Sequence, residues 1–280
     1  MPGAQIAFLP DGRRLHLQHG PIDLIVGAEG PGRAAALRAA AARFDTVLEE
    51  LVAELPLLRA RVGPRPAGVI ARRMHAATMP HAPDFITPMA AVAGAVAEVV
   101  LAAMREAGEL TRAYVNNGGD VALHLAPGQR FTAAIAGGAP GRIAIAAESP
   151  VRGVATSGRH GRSQSLGIAD SVTVLARSAA AADAAATMIA NAVDLPGSAK
   201  VRRIAARALA PDSDLGDRLV TLEVAPLTPE EAAQALERGV SSARTCLSRR
   251  LICAALLSLS GQSRALGAAD LIDLKDPCHA

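Results

Sequence analysis

At 280 residues, half of them hydrophobic, the chain is long enough for one large domain or two small ones around a sizeable core. Aromatic residues make up only 2% and tryptophan is absent, which excludes the ring-stacking platforms of single-stranded nucleic-acid binders. The net charge of +3 rests on arginine, since Lys200 and Lys275 are the only lysines, and no arginine block forms a groove-binding stripe.

Residues 4–9, 13–18 and 22–26 read as short strands, with Pro10-Asp11-Gly12 as a hairpin turn. Between 32 and 55, Leu37, Phe44, Val47, Leu48, Leu51 and Leu55 recur at three- and four-residue steps, predicting a helix that Pro56 closes. Residues 76–88 hold three prolines and a histidine and read as a loop. Thr87-Pro88 then opens a helix over 88–106. This is the only stretch that approaches a membrane span, but alanine dominates it and Glu98 interrupts it, so a buried helix is expected. Strands are predicted at 111–117, 120–125, 143–147 and 168–176. A helix comes next over 179–193, ended by Pro196-Gly197. After a strand at 219–224, Thr228-Pro229-Glu230-Glu231 carries the capping and charge pattern of a helix start, with helix continuing to about 259.

Strands and helices are mixed, with hairpin-like connections and no strict βαβ alternation, which predicts an α+β fold. A single domain over 1–265 with a C-terminal tail at 266–280 is expected. Cys246, Cys253 and Cys278 have no CxxC spacing; the first two, seven apart, are expected to share one face of a helix. Met1 to His19 breaks at Pro10-Asp11-Gly12 before any apolar run is long enough for a secretory signal, so a cytoplasmic location is expected. Neither nucleic acid nor a membrane is expected as a partner, and self-association is left open.

Three segments carry candidate chemistry. Asp183 and Thr187 lie one turn apart on a predicted helix, so a carboxylate and a hydroxyl on one face could share a hard cation such as Mg²⁺. The same residues also fit a first-turn acid favouring the helix dipole and a threonine bonded back to the preceding turn. Asn116-Asn117-Gly118-Gly119-Asp120 can turn backbone N–H groups toward an anion, or can be a tight hairpin. Thr156-Ser157-Gly158-Arg159-His160-Gly161-Arg162-Ser163 gathers hydroxyls, glycines and guanidinium groups that suit phosphate or carboxylate, or can be a solvated loop. His160 is a candidate base, though nothing in the sequence ties it to a nucleophile. His124 alternates with Leu123 and Leu125 on a strand and faces solvent or a ligand.

Gly118-Gly119-Asp120, then Thr156-Ser157-Gly158, then Ala182-Asp183-Ala184 through Thr187 fall in an order that resembles the ApbE superfamily, known for FAD:protein FMN transferases. Ala93-Gly94-Ala95 with Glu98 looks like that family's earlier helix. The segments 86–94, 115–120 and 165–170 look like an uncharacterised branch of the superfamily. The resemblance implies an ApbE-like fold of mixed and antiparallel sheets with packed helices. It implies Mg²⁺ at Asp183 and Thr187 with a backbone carbonyl from Ala90 or Ala91. It also implies a phosphate-bearing flavin-like or pterin-like ligand, FAD among them, at Gly94, Asn117, Gly118, Gly119, Asp120, Thr156, Ser157 and Gly158. Nucleotidyl or FMN transfer would then use Asp183, with His160 and Arg162 assisting. The chain departs from the transferases where Arg159 to Ala169 is short and lacks their His-x-x-Asp-Pro segment, and where Ala93 replaces a lysine. These departures leave a second reading: a binding or assembly protein without catalysis, in methanopterin-linked one-carbon metabolism.

Overall fold

The computed structural model describes residues 3–135, 141–161, 163–268 and 272–274. In chain order these form β1 (Gln5–Phe8), β2 (Leu15–His19), β3 (Ile22–Glu29), α1 (Arg33–Phe44), α2 (Val47–Ala53), α3 (Leu55–Arg59), α4 (Val69–Thr78), α5 (Val92–Ala107), β4 (Arg112–Asn117) and β5 (Asp120–Leu125). They continue with β6 (Arg130–Ile135), β7 (Gly141–Ala146), β8 (Gly153–Ser157), β9 (Ser171–Ala176), α6 (Ala179–Ala192), β10 (Val201–Ala205), α7 (Ala206–Leu209), β11 (Leu219–Val224), α8 (Pro229–Ser248), β12 (Ala254–Leu259), β13 (Gln262–Gly267) and β14 (Ile272–Leu274). Every registered strand pair among the described residues is antiparallel, so the fold is α+β.

The chain divides into two compact units. The first takes Met1–Phe131, Ala146–Ala155 and Ala176–Ala184. Its sheet runs β1-β2-β3-β4-β5-β8. Strand alternation sends Leu15 and Leu17, Leu24 and Val26, and Ala113 and Val115 to one buried face. Helix α1 packs on β2 and β3, and α5 on β4 and β5. The apolar 88–106 stretch is therefore core: Ala95, Val96, Ala97, Val100 and Met104 are fully buried. On the opposite face, the Tyr114 ring lies over Gly27, where a Cβ would meet the ring at 2.4 Å, and the Phe131 ring tilts against it at 5.8 Å between centroids.

The second unit takes Thr132–Ile145, Thr156–Leu175 and Ala185–Ala280. It contains β9-β12-β13, the pair β10-β11, and β14-β7-β6. Helix α8 covers β12 and β13, and Gly239 lets Val193 and Leu257 approach where a Cβ would sit 2.3 Å and 2.7 Å from them. The expected start of α8 forms a full capping box. The Glu231 N–H donates to Thr228 Oγ1 at 3.3 Å and the Thr228 N–H to Glu231 Oε2 at 2.7 Å. Replacing Thr228 with alanine is expected to cost about 1 kcal/mol in chemical denaturation, with an unchanged slope.

Several elements differ from the sequence expectation. The helix expected over 32–55 is broken into α1 and α2, and Pro56, expected to close it, instead opens α3. Residues 76–88 begin inside α4, which was not anticipated; the chain just before it is held by Glu54, whose carboxylate accepts the Ala67 and Gly68 N–H groups at 2.7 Å and 2.6 Å. The helix expected to reach 259 stops at Ser248, because Arg250 turns left-handed at φ 57°, and β12 and β13 come after it. Cys246 and Cys253 therefore do not share a helix. Cys246 is buried on α8, and Cys253 precedes β12.

Candidate functional site

The first unit brings together Asp183, Gly94, Asn117 and Asp120. Helix α6 carries Asp183, and its carboxylate Oδ2 accepts the Gly94 N–H at 3.0 Å from the first turn of α5. Asn117, the last residue of β4, donates from Nδ2 to the Ala93 carbonyl at 3.2 Å. Asp120 opens β5 directly opposite Asn117. The two glycines between them take φ of 64° and 116°, and the Gly119 N–H donates to Asn116 Oδ1 at 2.8 Å. This is a two-residue hairpin whose loop is Gly118-Gly119, one of the pairs such turns favour. Burial pushes the Asp183 carboxyl well above its ordinary pKa, and repulsion from the Asp120 carboxylate pushes it further. The Gly94 and Ala93 backbone groups pull the other way. Asp183 keeps a sliver of exposed surface, yet the protein is dense enough around its carboxyl group for desolvation to dominate.

Close approach of backbone makes this arrangement. A Cβ on Gly94 would lie 2.3 Å from the Ala179 carbonyl oxygen, and one on Gly153 would lie 2.2 Å from the Ser178 carbonyl carbon. The start of α6 is thus pressed between two positions where no side chain fits. Its N–H groups are already used: Ala180 donates to Glu98 Oε1 at 2.8 Å and Ala181 to Ser178 Oγ at 3.2 Å. Glu98 also pairs with Arg73 at 3.0 Å. Glu98 is therefore the acid that satisfies the positive end of this helix, a role not assigned to it from the sequence. Thr187 lies one turn beyond Asp183 on α6. Ala90 sits in the turn before α5, where its N–H donates to the Thr87 carbonyl at 3.1 Å.

In the second unit, Thr156 and Ser157 end β8 rather than lying in an open loop. Thr156 Oγ1 and Thr173 Oγ1 share a hydrogen bond at 2.9 Å. Gly158 is packed so tightly that a Cβ would fall 2.4 Å from the Asp170 carbonyl oxygen. Asp170 organises the chain just beyond β8. Its Oδ1 accepts Arg159 Nε and Nη2 at 2.9 Å and 2.7 Å, its Oδ2 accepts the Ser260 N–H at 2.6 Å, and His160 Nε2 stands 3.4 Å from Oδ1. Arg159 is thereby tied to a structural carboxylate, while the His160 side chain remains 63% exposed. Asp170 had no assigned role in the sequence, because nothing marks an acid at a strand start as a hub. Arg162 lies outside the described residues.

A separate cleft of about 460 Å³ opens beyond the C-terminal end of α5, lined in part by Arg105, Glu106, Glu109 and His124. His124 Nε2–H donates to the Leu110 carbonyl at 3.1 Å, and burial lowers the ring's pKa. None of the candidate site residues lines this cleft. No group of three or more His, Cys, Asp or Glu side chains suited to a metal occurs among the described residues. A cation at Asp183 would thus rely on few carboxylates and on oxygen from backbone, hydroxyl, water or phosphate, which is the donor set Mg²⁺ takes.

Comparisons with known proteins come down on one family. The chain is 36% identical over 165 residues to the UPF0280 protein of Methanothrix thermoacetophila, covering 55% of this chain and 67% of that one. It is 41% identical over 111 residues to UPF0280 protein MK0206 of Methanopyrus kandleri, covering 39% and 44%. The chain therefore spans two thirds of the first relative's length and under half of the second's. Among solved structures, the apo flavinyl transferase ApbE of Pseudomonas stutzeri aligns over 97% of this chain and 98% of its own, at 12% identity and a TM-score of 0.46. The flavin transferase ApbE of Vibrio cholerae aligns over 96% and 98%, at 14% identity and a TM-score of 0.42. Residues 6–265 match the family described as AbpE bacteria, and over that span the chain belongs to this ApbE-like family.

Proposed function

We propose that the protein binds a phosphate-bearing flavin-like or pterin-like ligand together with Mg²⁺ at Asp183, and that it acts in the cytoplasm as a nucleotidyl or FMN transferase-type enzyme. The observation that carries this reading is the placement of Asp183: a partly buried carboxylate fixed by the Gly94 N–H, with the Asp120 carboxylate close enough to raise its proton affinity. A divalent cation relieves that repulsion. Asp183 and Thr187, with the Ala90 carbonyl, would hold the ion, and its charge would offset that of a pyrophosphate. Gly94 and the Asn117-Gly118-Gly119-Asp120 hairpin would set the ligand's position in the first unit. In the second unit, Thr156, Ser157 and Gly158 offer hydroxyls and a tight backbone to polar ligand groups. His160 is the proton carrier and Arg162 the stabiliser of developing charge.

Titration calorimetry with FAD, with and without Mg²⁺, tests the binding step. Wild-type protein is expected to bind at least about tenfold more tightly with the ion. Asp183→Ala is expected to bind equally weakly in both conditions. Equal Mg²⁺-dependent affinity in wild type and variant would sink the reading.

The engagement of Arg159 with Asp170, and the absence of any nucleophile beside His160 among the described residues, favour a second reading of binding without turnover. Incubation with FAD, Mg²⁺ and a candidate acceptor separates the two. AMP release with FMN transfer supports the enzyme. Tight binding without AMP supports a non-catalytic ligand-binding or assembly protein, for which methanopterin-linked one-carbon metabolism is the proposed setting.

A further inference from the structure

Helices α5 and α6 exchange carboxylates. In the first turn of α5 the Gly94 N–H donates to Asp183 of α6 at 3.0 Å. In return, the Ala180 N–H in the first turn of α6 donates to Glu98 Oε1 of α5 at 2.8 Å. Gly94 and Glu98 are neighbours on one face of α5, as Ala180 and Asp183 are on α6, so the two bonds cross between the helices one turn apart. The missing side chain at Gly94 is what lets the backbones come this close.

The two acids stand in unlike surroundings. Glu98 Oε2 accepts Arg73 Nη1 of α4 at 3.0 Å, and the Glu98 side chain is 14% exposed, so its charge is balanced where it sits. The charge acting on Asp183 is that of Asp120, of the same sign. Asp183 therefore gains from a cation, whereas Glu98 is already paired. An acid that turns toward an ion cannot also be the sole tether of its own helix. Glu98 supplies a second tether, which ion binding leaves in place. The same end of α5 also holds the hairpin, since Asn117 Nδ2 donates to the Ala93 carbonyl at 3.2 Å and Asp120 lies opposite Asn117.

We infer that Glu98, fixed by Arg73, is a positioning residue for the cation site, an inference that rests on the ion proposed above at Asp183. By holding the start of α6 on α5, Glu98 sets where the Asp183 carboxylate stands relative to Gly94 and Asp120. Mg²⁺ demands near-ideal octahedral geometry, while Ca²⁺ accepts flexible, irregular sites. Loosening α6 therefore weakens Mg²⁺ binding more than Ca²⁺ binding.

Titration calorimetry with MgCl₂ and with CaCl₂ alone tests this. Glu98→Ala is expected to lower Mg²⁺ affinity at least about tenfold and Ca²⁺ affinity less than about threefold. Glu98→Gln keeps an acceptor for the Ala180 N–H and is expected to stay within about threefold of wild type for both ions. Thr228→Ala, which loses stability at α8 in the second unit, is expected to leave both affinities unchanged. Where Glu98→Ala fails to fold, Arg73→Met carries the test, with Mg²⁺ affinity expected to fall about threefold and Ca²⁺ affinity to hold. Amide exchange at Gly94, measured by NMR on metal-free protein, reads the Gly94–Asp183 bond itself. It is expected to be at least about tenfold faster in Glu98→Ala than in wild type, and close to wild type in Glu98→Gln. Wild-type protein that binds no Mg²⁺, or Asp183→Ala that binds it as wild type does, would sink the proposed ion site and the role of Glu98 with it. Three results would overturn the role of Glu98 alone: Mg²⁺ binding that needs Asp183 yet survives the Glu98→Ala or substitute Arg73→Met change, affinities for both ions that fall alike, or Gly94 exchange that does not change.

Discussion

Asp183→Asn is expected to make the protein more stable at pH 7 in a chelating buffer while removing its response to Mg²⁺. Burial and the neighbouring Asp120 raise the folded-state pKa of Asp183 above the ordinary carboxylate value of 3.8. From that value up to the raised one, the folded chain keeps a proton that the unfolded chain has lost. Stability therefore falls as pH rises through this window, and the whole penalty persists above it. Asparagine carries no charge and can still accept the Gly94 N–H. Each kcal/mol relieved corresponds to roughly 2–4 °C in the thermal midpoint of a chain this size. Scanning calorimetry of both proteins from pH 4 to 8 checks this. A variant less stable than wild type throughout would mean that the carboxylate is not under strain. Added Mg²⁺ should raise the wild-type midpoint and leave the variant's unchanged.

Gly94→Ala is expected to destabilise the protein by about 3 kcal/mol or more, a sign opposite to the usual one. Within a helix, glycine to alanine normally stabilises by about 0.5–1 kcal/mol through backbone entropy. Here the new methyl would lie 2.3 Å from the Ala179 carbonyl oxygen and 2.6 Å from the Ala180 nitrogen. Both are backbone atoms at the start of α6, and no rotamer can move them aside. Helices α5 and α6 would have to separate, which also pulls the Gly94 N–H from Asp183. Chemical denaturation gives the stability change. A neutral or stabilising result would show that the two helices can part without cost.

Features that the chain signals locally were legible in the sequence. The β4–β5 hairpin comes from Asn-Gly-Gly, whose two glycines take the positive φ that the turn demands. The start of α8 comes from Thr228 and Glu231 bonding each other. The beginning of α6 was legible at 179, whereas α4 was not: Glu54 holds the Ala67 and Gly68 N–H groups just before it, and no window around residue 69 contains that information. The end of α8 was hidden differently: Arg250 adopts the left-handed conformation that a glycine would have announced. A usable sign was present at Ser260-Gly261, whose φ of 49° and 78° make the β12–β13 turn. At the site, the alignment of Asp183 with Thr187 needed only helical spacing. The meeting of Asp183 with Gly94 and Asp120 needed three elements folded together, and only the family order of motifs hinted at it.

The Tyr114 ring over Gly27 has an optical consequence. The chain has one tyrosine and no tryptophan, so emission excited beyond the phenylalanine absorption band arises from a single ring. That ring sits on β4, two residues before Asn116, on the strand that runs directly into the Gly118-Gly119 turn. The tyrosine fluorescence of the unlabelled protein therefore reports on one strand rather than on an average over the molecule. A flavin bound near the hairpin would quench this emission by energy transfer, which makes the protein its own binding assay.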